Sequence, residues 1–386
     1  MNDIVEEKDG GDVFEIFIEG YLATQSITQH KQHWVVGGIP VEMRERFNLP
    51  NDGTGIDGIY EETGGNQVAY QVKYRKNHNL TFAGVAPFLG ITEKFTDRVI
   101  FTNASKLSDK AVVRTRWYSG EVFNALKSEQ FDQIEAWLKE KPAPVMRATP
   151  DPSYQTEVLD DIAATLKDNA RASLVMACGT GKTLVALWAT EQAKPRTVLV
   201  LLPSLMLLQQ TLRDWSEQTS WGSRFSYLCV CSDKTMGLKD DSNNIDKSDV
   251  GFRVDTDPDL VRQFLRRETD DIKVIFSTYQ STEVVAEGAA GLPPIDLAIF
   301  DEAHKTTGRA GGMFSHALDD GNLSINNGCS SRQRHDTSIS ANEIKKATSQ
   351  SCRWMMRLSM AQEPIPCRLA GPQAKASSVS TRSSSL

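Results

Sequence analysis

Met-Ala-Cys-Gly-Thr-Gly-Lys-Thr, residues 176–183, is the glycine-rich run that decides the fold of the second half of the chain. The apolar residues 173–175 precede it and the apolar residues 184–187 follow it, which predicts a strand, a loop and a helix. Backbone N–H groups of Gly179 to Gly181 can then point at a phosphate at the positive end of the helix. Met176 stands where the strict pattern of such loops has its first glycine. The run still predicts a phosphate-binding loop in an α/β domain.

An acidic run, Asp-Glu-Ala-His at residues 301–304, follows the apolar strand 295–300. Asp301 would emerge at the carboxyl end of that strand, where open parallel sheets bind their ligands. A glycine-rich loop alone is often only a tight turn, but its agreement with the acidic run favours nucleoside triphosphate chemistry. The expected roles are phosphate contact by Lys182, Mg²⁺ binding by Thr183 and Asp301, and positioning of the attacking water by Glu302.

These two runs resemble motifs I and II of superfamily 2 helicases and translocases, in the DEAH-type branch found in restriction enzymes. Gln155 resembles the glutamine that reads adenine, and residues 198–210 and 274–281 resemble DNA-contacting motifs. The resemblance covers roughly residues 147–326 and implies a RecA-like domain that uses ATP and Mg²⁺ on double-stranded DNA. It assigns nucleotide binding to Gln155, Gly179, Thr180, Gly181, Lys182, Thr183, Asp301 and His304.

The front of the chain contains a predicted hairpin. Residues 55–59 lead through Gly64-Gly65 into residues 68–73, and the strand period of two places Gln71 and Lys73 on one face. Asp57, the Gln71 side-chain oxygen and the Val72 carbonyl can hold Mg²⁺, while Lys73 orients or activates a water. Ordinary turn chemistry and a solvent-facing strand would explain the same residues, so the residues alone leave both interpretations open.

The hairpin resembles the Mrr-type restriction endonucleases of the PD-(D/E)xK class, in the variant with glutamine for the second acid. The run 99–104 followed by Ser108 resembles the strand and loop after that core. This family often supplies a further acid from a preceding helix, and the helix predicted around residues 13–22 offers Glu15. The resemblance therefore implies catalytic roles for Glu15, Asp57, Gln71 and Lys73. Fusion to a DEAH-type motor, a pairing typical of restriction systems, favours the nuclease.

The predicted fold is α/β twice over: a small mixed-sheet nuclease domain, then one RecA-like parallel-sheet domain. The expected boundaries are an endonuclease domain at 1–140, a linker at 141–150, an ATP-binding domain at 151–326 and a tail at 327–386. Codons for residues 327–337, taken from the third base of each, permit Thr-Ala-Thr-Pro, the next motif expected of the family. We therefore hypothesise that a frameshift near Asn326 makes the tail out-of-frame. A natural disordered tail would also explain its serine content.

The amino-acid composition alone indicates little about function. The net charge of −7 shows no chain-wide basic character, but a motor needs only a local groove of phosphate contacts. Six cysteines without a C-x-x-C pair predict buried free thiols, in Cys229 and Cys231 among others. With no secretory signal or long apolar run, the sequence predicts a cytoplasmic protein without a membrane partner. Methyltransferase or specificity subunits or domains are the other expected partners.

The function expected from these features is an ATP-dependent DNA helicase or translocase with an attached Mg²⁺-dependent endonuclease. It would be of the restriction type and present as an N-terminal fragment. Without a second RecA-like domain to supply an arginine to the phosphoryl group, we expect weak ATP binding and negligible hydrolysis. One alternative is a non-hydrolysing ATP- and DNA-binding fragment. Another is an ATPase that remodels nucleic-acid complexes, with the front domain as a DNA clamp.

Overall fold

The computed structural model describes residues 10–50, 53–75, 79–108, 115–142, 147–151, 153–169, 171–177, 179–231, 252–301 and 351–358. The front domain consists of α1 (Gly10–Thr24), β1 (His30–Val35), α2 (Val41–Phe47), β2 (Gly58–Glu62), β3 (Gln67–Lys73), β4 (Asn79–Leu80), α3 (Phe82–Ile91), β5 (Asp97–Thr102), β6 (Lys106–Leu107), β7 (Arg116–Tyr118), α4 (Gly120–Asn124) and α5 (Ser128–Leu138). The second domain consists of α6 (Gln155–Asp168), β8 (Arg171–Ala177), α7 (Lys182–Ala193), β9 (Thr197–Leu202), α8 (Leu205–Gln218), β10 (Phe225–Val230), β11 (Val254–Asp255), α9 (Pro258–Arg266), β12 (Ile272–Thr278), α10 (Thr282–Ala289), β13 (Leu297–Asp301) and β14 (Ser351–Leu358).

The front domain is a mixed five-stranded sheet, as predicted, and it has helices on both faces. Its strand order is β1-β2-β3-β5-β7, antiparallel up to β3 and parallel from β3 to β7. Successive side chains of one strand pack in different hydrophobic cores, because side chains alternate between the two faces of a sheet. Ile59 and Ala69 belong to the core beneath α2 and α3, whereas Tyr60 and Tyr70 belong to the core beneath α1 and α5. Both faces are therefore buried.

The second domain contains the predicted parallel sheet. Strands β11, β10, β12, β9 and β13 pair in parallel in that order. Its cores lie on both faces, with Leu187 and Trp215 in one and Phe264 and Phe300 in the other. Cys229 and Cys231 are buried thiols outside any disulfide, as expected.

One strand of this sheet comes from the segment that the sequence analysis placed in a tail. Residues 351–358 form β14, which pairs antiparallel with both β13 and β8 and so lies between them. Without it, both neighbouring strands would expose a row of unpaired backbone groups inside the domain. This backbone pairing explains why an isolated apolar run, Trp-Met-Met at 354–356, becomes a strand although no periodic pattern surrounds it.

The two domains are joined at the first half of β10, because the two-residue strand β11 pairs only with Cys229 and Val230 at the other end of β10. The Gln29 side chain accepts a hydrogen bond from Tyr227 N at 2.8 Å and donates one to Tyr227 O at 3.1 Å. It thereby takes the place of a neighbouring strand. Tyr227 Oη donates to Ile27 O at 2.6 Å, and Thr63 Oγ1 donates to Ser223 O at 3.2 Å. Three residues of the front domain thus attach to one strand end of the other domain.

Charged residues and a cavity complete this boundary. Arg116 lies 2.7 Å from both Glu62 and Asp97, and Arg253 of the second domain lies 3.8 Å from Asp97. A cavity of about 470 Å³ separates the domains elsewhere, and its polar lining includes Gln25, Lys127, Gln130, Arg147, Arg213 and Glu217.

No described helix is long and apolar enough to cross a membrane.

Replacing Gln29 by Ala is expected to lower the free energy of unfolding by about 1–3 kcal/mol, because the backbone N–H and C=O of Tyr227 would lose their side-chain partner at a covered edge. Urea unfolding followed by tryptophan fluorescence measures this. Gln32→Ala is the matched control, since the Gln32 amide is exposed and lies 3.5 Å from Glu61. Equal effects of the two substitutions would contradict the role of Gln29.

Two histidines lie side by side on β1. His30 Nε2 and His33 Nδ1 are 2.9 Å apart, and the pairing register of β1 with β2 shifts between His30 and Gln32. Such a shift lets residues three apart share one face. Burial, and then the neighbouring His33, lower the pKa of His30 to about 4. Burial also lowers the pKa of His33. His30 is therefore neutral in the folded protein near pH 6, and burial disfavours the charged form of His33 as well.

We expect the free energy of unfolding to fall as the pH drops from about 6.5 toward 4, because the unfolded histidine takes up a proton before the folded one does. The part of the free energy of unfolding that comes from the neutral histidine is fully present above the pKa of the unfolded histidine. It is lost as the pH falls toward the pKa of the folded histidine. Denaturant unfolding of the wild type and of His30→Gln, at pH 7 and pH 5, measures the difference. The same pH dependence in both proteins would rule out this pair as its source.

Candidate nucleotide and nuclease sites

The phosphate loop joins β8 to α7, as predicted. Gly179 and Gly181 both have a φ of +79°, a left-handed conformation that glycine adopts without a steric penalty. Gly181 is the residue before the first turn of α7, which begins at Lys182. Four described residues expected to contact the nucleotide, Gly179 to Lys182, therefore lie where backbone N–H groups and the helix dipole attract a phosphate.

Side chains around the loop hold it in this shape. Gln155 Nε2 donates to Thr180 O at 3.0 Å, and Tyr154 Oη donates to the same oxygen at 3.2 Å. Gln155 Oε1 accepts from Asp151 N at 2.7 Å. Behind the loop, Trp215 Nε1 donates to Thr183 O at 3.1 Å. In this structure the amide predicted to read adenine thus supports the phosphate loop.

Asp301 ends β13 at the same edge of the sheet as the phosphate loop, because β8 and β13 run in the same direction. It is buried, and the Tyr279 hydroxyl donates to its backbone oxygen at 2.6 Å. Glu302 and His304, the other predicted residues of this acidic run, lie outside the described residues. Thr183 and Asp301 are the described residues that would hold the Mg²⁺ of a bound nucleotide.

The front domain brings its predicted residues to one edge of its sheet. Asp57 directly precedes β2, and Gln71 and Lys73 lie at the end of β3, which runs antiparallel to β2. Asp57 Oδ2 accepts from Val72 N at 2.6 Å. The hairpin and the shared face predicted for Gln71 and Lys73 are confirmed.

The Gln71 side-chain oxygen is the atom at this edge that bears most directly on metal binding. The side chain is 3% exposed, and Nε2 donates to Gly55 O at 3.0 Å. Oε1 is buried and, among the described residues, has no hydrogen-bond donor. Such an orphaned acceptor costs about 1–3 kcal/mol unless something pairs with it. A carboxylate, a glutamine oxygen and a strand carbonyl form a donor set that suits Mg²⁺.

Electrostatics link Glu15 to the same edge. The pKa of Glu15 is raised, first by desolvation and then by the Asp57 carboxylate, while Lys73 opposes the shift. The pKa of Asp57 is also raised by burial, and the Val72 N–H and Lys73 counteract this. Mutual repulsion of two carboxylates is relieved by a cation between them. The residues present therefore fit a divalent metal ion.

Family comparison identifies the second domain. The family described as type III restriction enzyme, res subunit (ResIII) matches residues 150–346, slightly more than half of the chain. The chain belongs to this family. The superfamily 2 assignment, in its restriction-enzyme branch, is thereby confirmed, and a ResIII helicase domain implies the use of ATP.

Curated relatives with a similar sequence include a viral helicase. Probable helicase A859L of African swine fever virus is 31% identical over 172 residues in the Pretoriuskop Pr4/1996 isolate, and 32% identical over 162 residues in the Malawi Lil 20-1/1983 isolate. The matches cover 44% and 42% of this chain and 18% and 17% of the relatives. The chain thus spans less than a fifth of the length of these relatives.

A solved structure is similar in fold to a larger part of this chain. The ATP-dependent type ISP restriction-modification enzyme LlaBIII, bound to DNA, matches with a TM-score of 0.64 and 24% identity. The match covers 83% of this chain and 22% of that protein. This is more than the ResIII region alone, so the likeness in fold includes part of the front domain.

Sequence patterns did not indicate several supporting residues. Tyr154, Trp215 and Tyr279 fix the loop and Asp301 through single hydrogen bonds to backbone oxygens. Tyr154 adjoins the predicted Gln155, which was the only available signal. Trp215 lies 32 residues from its partner Thr183, at a distance in sequence where no motif spacing applies.

Replacing Gln71 by Leu tests the cation site. Without metal, we expect a free energy of unfolding within about 2 kcal/mol of the wild type, because the orphaned oxygen and one hydrogen bond disappear together. Excess Mn²⁺ or Mg²⁺ should raise the melting temperature of the wild type. At a metal concentration a hundred times the dissociation constant, binding adds about 2.7 kcal/mol to the free energy of unfolding. The variant should lose this rise.

Gln67→Leu, at the first residue of β3, is the matched control and should keep the metal-dependent rise. Calorimetry in chelator and in excess metal measures all three proteins. An unchanged response of the Gln71 variant would show that this oxygen binds no cation.

Proposed function

We propose that this chain combines an ATP-dependent DNA translocase of the restriction type with a Mg²⁺-dependent DNA endonuclease in its front domain. The observation that carries the proposal is the buried Gln71 Oε1, which has no hydrogen-bond donor in the part of the chain that the structure describes, beside the half-buried Asp57. A purely structural hairpin would have no reason to retain this cost. The ResIII domain supplies the motor half of the proposal.

The front domain would act through four side chains. Asp57, Gln71 and the Val72 carbonyl would hold the metal ion, which when bound supplies positive charge at the scissile phosphate. Lys73 orients the attacking water and stabilises the negative charge that develops on the phosphate. Glu15, whose pKa is raised first by desolvation and then by the Asp57 carboxylate, would be the further acid.

The ResIII domain would bind ATP at the carboxyl edge of its sheet. Backbone N–H groups from Gly179 to Gly181 hold the phosphates, and Lys182 neutralises their charge. Trp215 and Tyr154 keep the loop in place while the nucleotide enters. Tracking of double-stranded DNA and association with methyltransferase or specificity components are part of the same proposal, because an enzyme that translocates before it cuts needs both a DNA track and a recognised site.

Lys73→Ala and Lys182→Ala separate the two activities. We expect Lys73→Ala to reduce Mg²⁺-dependent cleavage of plasmid DNA by about 10²–10⁴-fold, since a group that moves or orients a proton contributes that much. ATP binding should be unchanged. Lys182→Ala should weaken binding of a fluorescent ATP analogue at least tenfold through loss of charged hydrogen bonds, while leaving cleavage without ATP intact.

Lys31→Ala and Lys167→Ala serve as charge-matched controls in the respective domains. Undiminished cutting by Lys73→Ala would refute the nuclease and favour the alternative in which the front domain is a DNA clamp. Undiminished nucleotide binding by Lys182→Ala would refute the role of the phosphate loop.

A further inference from the structure

An apolar segment borders the candidate nuclease site on the β1 side. We call residues 35–41 the Val35–Val41 loop; their sequence is Val-Val-Gly-Gly-Ile-Pro-Val. Val35 pairs with Gly58, the residue after Asp57. Val36 N donates to the Asp57 backbone oxygen at 3.0 Å. The loop therefore begins one hydrogen bond away from a candidate metal ligand.

The outer surface of this loop is exposed and apolar. Val41 is 65% exposed and Val35 is 40% exposed, which places both among the few large hydrophobic residues that are exposed in the described part of the chain. The space beside Gly37 and Gly38 is open, since a Cβ added at either would meet nothing within 4 Å. Two valines thus flank a narrow tip of bare backbone.

The loop is held in one shape despite its exposure. Arg44 Nε donates to Ile39 O at 3.2 Å, and its Nη2 donates to Val36 O. Ile39 is buried in the core beneath α2. The Val36 side chain fills the space beside Gly53, where an added Cβ would lie 1.9 Å from Val36 Cγ2. Because the shape is fixed beforehand, binding would cost little conformational entropy.

The opposite border of the site has different chemistry. Tyr74 and Arg75 follow Lys73 at the end of β3, two strands away from β1 and thus roughly 9.5 Å across the sheet. Tyr74 is 40% exposed. The Asn103 side chain fixes the Arg75 backbone, accepting from its N at 2.7 Å and donating to its O at 3.0 Å. One border is apolar and the other is aromatic and cationic.

We propose that the Val35–Val41 loop enters the minor groove of double-stranded DNA beside the scissile phosphate, with Val35 and Val41 against sugars and base edges. This rests on the proposed nuclease function, because a phosphodiester that reaches Asp57 brings the neighbouring groove against the loop. The minor groove is about 6 Å wide and excludes a helix, but a glycine tip fits. Proteins commonly insert apolar side chains there, while Tyr74 and Arg75 meet the phosphate backbone.

The test compares Val35→Thr/Val41→Thr with Val35→Ile/Val41→Ile in the full chain. Threonine keeps the shape and removes the apolar character, whereas isoleucine keeps the apolar character. Binding to a short A·T-rich duplex is measured in Ca²⁺, so that no cleavage occurs. We expect about five- to tenfold weaker binding for the threonine variant and less than a twofold change for the isoleucine variant.

Salt dependence and groove blocking identify the contact. The slope of log Kd against log salt should be the same in the wild type and the threonine variant, because apolar contacts release no counterions. Netropsin, which occupies the minor groove, should weaken binding of the wild type more than that of the threonine variant. In Mg²⁺, the KM for cleavage should rise by the same factor with an unchanged kcat.

Wild-type affinity in the threonine variant, an altered salt slope, or an equal effect of netropsin on both proteins would overturn the proposal. Thermal unfolding of both variants checks that these exposed substitutions leave the fold intact. A wild-type chain that binds the duplex as expected but never cuts it would refute the nuclease while supporting the loop, so the two failures are distinguishable.

Discussion

Burial of both faces of each sheet is the constraint on which the rest of the structure depends. When helices cover both faces, a charged side chain in the middle of a strand would lose its hydration without gaining a partner. Polar chemistry is therefore confined to the places where strands end. Asp57, Lys73 and Asp301 all occupy such ends, and the phosphate loop follows the end of β8. Gln71, two residues before the end of β3, carries the cost of this position as a side-chain oxygen that has no hydrogen-bond donor among the described residues.

The features that could be predicted from the sequence are those that local chemistry determines. The hairpin followed from a glycine turn and a period of two, and the phosphate loop followed from glycines that must adopt positive φ beside a helix start. The Gln29 attachment could not be predicted, because its partner Tyr227 lies 198 residues away and offers only backbone atoms. β14 could not be predicted either, since its stability comes from two neighbouring strands rather than from its own pattern. The resemblance to a nuclease goes beyond what local chemistry determines, and it stays a prediction.

The attachment at β10 also has a bearing on how the two domains work together. Gln29 adopts a left-handed conformation, with a φ of +52°, directly before β1. β1 in turn leads into the segment beside Asp57. A short stretch of chain therefore connects the edge of the ResIII sheet to the edge of the front sheet. The two hydrogen bonds of Gln29 and the backbone that follows it are thus a direct connection between the two domains, apart from the polar cavity that lies between them elsewhere.

The direction of β14 decides which end of this strand lies beside the phosphate loop. Ser351 pairs with Ala177, so the strand starts beside the phosphate loop, and Leu358 pairs with Leu297 at the far edge of the sheet. A parallel strand in the same position would end, rather than begin, beside the phosphate loop. β14 instead begins there and has its carboxyl end about 23 Å away, at 3.3 Å per residue. The slot between β13 and β8 is thus filled by a strand whose amino end, and not its carboxyl end, lies at the candidate nucleotide site.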